Sequence, residues 1–255
     1  MRHLLAILAA LCLSVPAQAK WIEASSAHFV VYANDAPKDV ERFSTQLEKF
    51  HAAVGMLLGL NKAVPSPSNR VTIFVVKDDR QVRKLAGDAQ NSLYAYYVPR
   101  AGASIAIVPQ IEVSSGQLEF SMIALLHEYA HHITLSTSGF PMPRWLGEGV
   151  AEFYASAKFE TDGGISIGRP ATHRAGELFY AKDVTATTLL DPDLYEKIRG
   201  KSKDSYDAYY GKSWLLYHYL FFNAQRSGQL STYLKLIGAG KSSKEAGVEA
   251  FGDLT

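Results

Sequence analysis

Residues 118–135 place two demands on the fold that few chains meet together. Phe120, Met122, Ile123, Leu125, Leu126, Ile133 and Leu135 surround a helix with apolar side chains, yet the same segment carries His127, Glu128, His131 and His132. A helix apolar on most sides belongs inside the protein, and polar groups placed there cost free energy unless partners meet them. The spacing names a suitable partner. Residues four apart share one helix face about 6 Å apart along the axis, so His127 and His131 can turn both imidazoles onto one ion at about 2.0–2.1 Å. Glu128 then stands beside that ion, where its carboxylate can take a proton from an activated water and later deliver one to a leaving amine. His132 is five steps from His127 and points off the shared face, so it is expected to be structural or to support the ligands.

A catalytic zinc site of this kind uses three protein ligands and keeps a fourth position for water. Cysteine does not supply the third, because the chain has one cysteine, Cys12, and it falls in a segment expected to be removed. The next helix, expected over 145–157, offers Glu148 and Glu152 four apart on the side where Trp145, Val150 and Phe153 build an apolar surface. Two acids facing the way the core faces are explained if Glu148 ligates the metal and Glu152 accepts a hydrogen bond from a ligand imidazole or steadies the first helix. The other reading is two solvated glutamates on an amphipathic helix.

Met1-Arg2-His3, the apolar stretch 4–15 and Ala17-Gln18-Ala19 form the three parts of a cleaved secretory signal. Cleavage is expected after Ala19, and Cys12 leaves with it; a lipoprotein site at Cys12 and an uncleaved anchor are the weaker readings. The apolar stretch is well short of the roughly 20 residues that cross a bilayer, so no membrane span is expected after cleavage. An exported protein, periplasmic or secreted, follows as the expectation, held by its core rather than by disulfides. Lys and Arg total 26 against 25 Asp and Glu, a net charge of +1 without a run of five like charges, which argues against nucleic acid as a partner.

The rest of the chain changes character midway. Before residue 110, strands are expected over 28–32, 70–76, 94–98 and 103–108, with helices over 38–60 and 79–85. Val40, Phe43, Leu47, Phe50, Val54 and Leu57 mark the buried face of the first helix. After it come helices over 118–135, 145–157 and 206–224 and a small hairpin turning at 162–164. The fold class expected is α+β, a small mixed sheet over an active-site helix with a mainly helical C-terminal part, in one domain over 20–255. No internal repeat is present.

His127-Glu128-x-x-His131, sixteen further residues and then Glu148 within Pro143-Arg144-Trp145-Leu146-Gly147-Glu148-Gly149-Val150-Ala151-Glu152 resemble the gluzincin metallopeptidases, and among them the compact, exported peptidase MA-like group. The resemblance extends over most of the chain after the signal, although only the metal motif is highly specific. It implies a zincin-like fold, one zinc ion, His127, His131 and Glu148 as ligands, and Glu128 as base. A metzincin would need Gly at 134 and His at 137, where this chain has Thr at both. The spacing to Glu148 is two residues shorter than in the aminopeptidase N-type branch and the Gly-x-Met-Glu-Asn segment of that branch has no counterpart, so exopeptidase specificity does not carry over. Chains of this group often run past a segment like Phe251-Gly252-Asp253 into another helix, which leaves a further C-terminal helix open.

Tyr210 in Tyr210-Gly211-Lys212-Ser213-Trp214 resembles the gluzincin tyrosine that faces the reacting carbonyl, with Ser213 standing where that pattern has Gly. The resemblance implies that its phenol donates to the developing oxyanion; Tyr209, Tyr206 and plain core packing of Tyr210 are the alternatives. The group also places an edge strand beside the cleft, for which 103–108 is the candidate, an interior strand being the other possibility. Tyr217, Tyr219, Phe221 and Phe222 are expected to pack rather than to bind. The function expected is zinc-dependent hydrolysis of a peptide or protein substrate in the cell envelope or outside the cell. Two rivals stand beside it: a metal-holding envelope interaction or assembly module with little activity, and a zinc amidase acting on a cell-wall cross-link.

Overall fold

A computed structural model describes residues 21–60, 64–87, 95–100, 102–109, 118–200 and 206–252. The expected signal segment with Cys12, the first residue of the strand expected over 94–98, and residues 253–255 lie outside these.

The first element differs from expectation. Two strands, β1 (Ile22–Ser25) and β2 (Phe29–Ala33), form an antiparallel hairpin where one strand was expected. β1 alternates half-exposed and exposed residues, so it lacks the apolar run that marks β2, and its pairing is visible only in the fold. α1 (Pro37–Leu58) follows and buries Val40, Phe43, Leu47, Phe50 and Val54; Leu57, in its last turn, is exposed. β3 (Val71–Val76) pairs parallel to β2 in the register Phe29↔Val71. α2 (Asp79–Ala86), capped by Asp78 accepting from the Gln81 N–H, leads to β4 (Tyr96–Val98) and β5 (Ile105–Pro109). β5 pairs parallel to β3 and antiparallel to β4. The sheet order is therefore β1-β2-β3-β5-β4, and α1 and α2 lie in the crossovers that its parallel pairs require. The strand at 105–109 is thus interior, and β4 is the outermost strand on that side among the described residues.

The remainder is mainly helical: α3 (Phe120–Thr137), α4 (Arg144–Ala155), the hairpin β6 (Lys158–Phe159) and β7 (Ile165–Ser166), then α5 (Ala175–Tyr180), α6 (Ala186–Leu190), α7 (Pro192–Arg199), α8 (Tyr209–Phe222), α9 (Gln229–Gly238) and α10 (Ser243–Phe251). This is the α+β class expected, with a mixed sheet and a mostly helical C-terminal part. α5 to α7, α9 and α10 were not expected individually. The first three are short, and too few turns repeat for a 3.6-residue period to show. For α10 a signal existed, since Ser242 and Glu245 form a reciprocal capping box at its start. No helix among the described residues is long and apolar enough to cross a membrane.

One apolar cluster runs from β2 and α1 through α3 and α4 to α10. α4 is its pivot, packed on α3 on one side and α8 on the other. Phe153 on α4 gathers the aromatic residues of α8, with Tyr217, Phe221 and Phe222 rings at 5.1, 5.0 and 5.8 Å. Tyr217 is buried there as expected, while Phe221 and Phe222 touch Phe153 yet stay exposed, as does Tyr219 beneath Arg226.

Candidate metal centre

α3 is buried along His127, while His131 and Glu128 are half-buried. α4 enters after Pro143, whose carbonyl accepts the first backbone bonds of the helix, and is pinned by Trp145, 1% exposed, whose indole N–H donates to the Tyr233 hydroxyl at 2.8 Å. One turn on, Glu148 meets the two histidines. His127 Nε2 and His131 Nε2 are 3.1 Å apart, and Glu148 Oε2 lies 3.3 Å from the first and 3.2 Å from the second. Donor atoms held at about 2.0–2.2 Å around a tetrahedral ion stand about 3.3 Å from one another, so these three already occupy the corners of one face of such a polyhedron. The residues fit a metal ion, and they are the group of His, Asp or Glu side chains among the described residues that could hold one.

Electrostatics favour the same use. Burial alone would discharge His127, but its contacts with Glu148 and Glu152 outweigh burial and push its pKa up to about 9. Burial would likewise keep Glu148 neutral, yet His127 and His131 draw it down to about 2. At pH 7, below the raised pKa, His127 therefore carries a proton that a cation must displace. Uptake of zinc at pH 7 is expected to release about one proton, with affinity rising as pH climbs toward about 9. Calorimetry in two buffers of different ionisation enthalpy measures that count, and a value near zero would contradict it.

Glu152, 1% exposed, sits behind His127. Its Oε1 is 3.0 Å from His127 Nδ1, an ion-pair approach poorly aligned for a linear hydrogen bond, so the support is mainly electrostatic. His173 Nε2 lies 2.6 Å from Oε2, and the Arg174 guanidinium donates to Oε1. Burial opposes the charge on Glu152, but His127, His173 and Arg174 hold its pKa well below the usual carboxylate range. His173 and Arg174 were not anticipated. The signal for them is a general one, that a buried acid requires cations, and nothing in the spacing ties residues 173–174 to 152.

Glu128 lies in the wall of a cleft of about 570 Å³ shared with Tyr97, Pro99, Arg100, Ser104, His131 and His132. β4 contributes Tyr97 to this wall and Ser104, from the strand expected over 103–108, lines it too, but that strand is interior in the sheet and β4 is the outer one among the described residues. His132 stacks on Tyr129 and meets Tyr97 edge-on, outside the ligand triangle, in the supporting place expected of it.

Tyr210, in the first turn of α8, packs its ring 6.2 Å from the His127 ring, tilted at 52°, with the Arg144 charge nearby. Arg174 lies 4.8 Å over the same ring. Burial and the nearby Glu148 charge raise the Tyr210 pKa, against the pull of the two arginines, so the phenol keeps its proton at neutral pH. Tyr209 instead packs on Tyr195 at 4.4 Å and Tyr206 is exposed, which leaves Tyr210 as the tyrosine of the three whose ring meets His127. Glu177 Oε1 accepts from the Gly211 N–H at 2.7 Å and fixes the start of α8. At Ser213 α8 comes close to α4: a Cβ on Gly149 would stand 2.5 Å from the Ser213 carbonyl oxygen.

No curated protein matches the chain. Residues 122–239 are similar to a family described as a protein of unknown function, DUF1570. That stretch runs from the first turn of α3 to just past α9 and contains His127, Glu128, His131, Glu148, Glu152 and Tyr210, but not the sheet.

Proposed function

We propose that the protein is an exported zinc metallopeptidase of gluzincin type. The observation that carries the reading is the closed triangle of His127, His131 and Glu148 donor atoms with Glu128 in the wall of the adjoining cleft. When bound there, zinc supplies Lewis-acid activation of water, lowering its pKa to about 7. His127 and His131 through Nε2 and Glu148 through Oε2 would hold the ion, and Glu152 would support the far side of the His127 ring. Glu128 takes the proton of the attacking water and passes it to the leaving amine. Tyr210, kept protonated, donates its O–H to the oxygen on which negative charge develops. A peptide laid along the outer edge of β4 would pair by main-chain hydrogen bonds and bring its carbonyl past Glu128.

Elemental analysis of the purified chain, beside His131→Ala and Glu148→Ala, tests the ligand set. About one zinc per chain is expected in the wild type and little in either variant, since each removes one of three protein ligands. A folded wild type that takes up no metal when zinc is offered without chelator would overturn the reading in favour of a binding module.

A further inference from the structure

Arg174 occupies a place that a plain counter-ion would not need. Its guanidinium donates to Glu152 Oε1, reaches Glu177 Oε2 at 3.2 Å and lies 4.8 Å over the Tyr210 ring. Each of these partners leads to a different part of the site. Glu152 stands against Nδ1 of the ligand His127, at 3.0 Å. Glu177 accepts from the Gly211 N–H and so fixes the first turn of α8, where Tyr210 sits. His173, the preceding residue, holds the second oxygen of Glu152 at 2.6 Å.

From this geometry we infer that Arg174 is a positioning residue, a bracket that sets the orientation of the ligand His127 and of Tyr210 together, with His173 fixing Glu152 from the other oxygen. The inference deepens the metallopeptidase reading and rests on it for the role of Tyr210, but its link to His127 concerns metal binding alone. A guanidinium suits the task because its planar fork can serve two carboxylates at once and still stack on an aromatic face, which an ammonium cannot. The bracket is assembled across the chain: Glu152 comes from α4, Arg174 and Glu177 from the start of α5 and the turn before it, and Tyr210 from α8. Without it, Glu152 is free to turn away from His127, and α8 loses the charge that orders Glu177.

The test measures zinc affinity by chelator competition, the visible spectrum of the cobalt-substituted protein, and kcat and KM separately, in the wild type, Arg174→Met and Arg174→Lys. Outer partners of a metal ligand are worth about 10–100-fold in affinity or activity. Arg174→Met is expected to lower zinc affinity and kcat each by about tenfold or more, with KM little changed, and to shift the cobalt spectrum through altered His127 geometry. Arg174→Lys, which can hold Glu152 but not Glu177 at the same time, is expected to recover affinity more than kcat. Should Arg174→Met fail to fold because Glu152 is left charged and buried, Arg174→Met with Glu152→Gln removes that charge and is compared with Glu152→Gln alone; weaker zinc binding and a further spectral shift in the double variant than in Glu152→Gln would still support positioning. Wild-type affinity, spectrum and kcat in Arg174→Met, or values equal to those of Glu152→Gln alone in the double variant, would overturn the inference. A wild type that binds zinc but cleaves no peptide would overturn the peptidase reading and leave the affinity and spectral comparison to decide the His127 link. A wild type that binds no metal would overturn both.

Discussion

Glu128→Gln is expected to lower turnover by about a thousandfold while leaving zinc content unchanged, in line with the 10²–10⁴-fold range of positioned acid–base groups. The substitution keeps the shape of the side chain and removes only its ability to accept a proton. Glu128 is not a corner of the donor triangle, which is built from His127, His131 and Glu148, so metal should remain. It lines the cleft and not the core, so the fold should be unaffected. The pairing of lost kcat with retained zinc separates the base from the ligands, whose removal loses both. Undiminished turnover in a clean preparation, or loss of zinc alongside activity, would remove Glu128 from that role.

A second large effect is expected at Gly149, in stability as well as activity. α4 and α8 approach so closely there that an added Cβ would stand 2.5 Å from the Ser213 carbonyl oxygen and 3.1 Å from Tyr217 Cβ. The obstacle is backbone, which cannot swing aside like a side chain, so Gly149→Ala must push the two helices apart. The expected cost is about 3 kcal/mol, or about 6–12 °C in Tm for a chain of this size. Because α8 carries Tyr210 and α4 carries Glu148, the same displacement should reduce kcat. Gly147→Ala provides the contrast: its Cβ would meet nothing nearer than His131 Cε1 at 3.8 Å, and the gain in helix propensity of up to about 1 kcal/mol should leave the variant as stable as wild type or more so. Thermal melts of the two variants side by side check this, and equal Tm values would show that the close approach carries no energetic weight.

The main features of the site could be read where the information was local. His127, Glu128 and His131 lie within one turn and a half, and helix geometry alone puts two of them on one face and the third beside it. Glu148 and Glu152 required one further step, that acids on the apolar side of a helix need partners, and both stand where that argument puts them. Tyr210 was one of three tyrosines close in sequence, and the choice among them depends on which face of α8 turns toward His127, a matter of packing. Of the sheet, the apolar runs of β2, β3 and β5 were visible, whereas β1 was not, because a half-exposed edge strand carries no run of its own.

What the sequence by itself determined about this protein is therefore what a single helix can encode: a buried α3 with a paired imidazole face, an adjacent carboxylate, and a following helix that turns its acids inward. Only the tertiary structure decided that β4 is the outer strand beside the cleft among the described residues and the strand at 105–109 an interior one, that Gly149 lets α8 close on α4, and that His173 and Arg174 surround Glu152. The physical reason is range. Periodicity along a helix constrains residues three and four apart, while a buried carboxylate can draw its cations from any segment the fold brings near, here 21 and 22 residues downstream with no pattern in between.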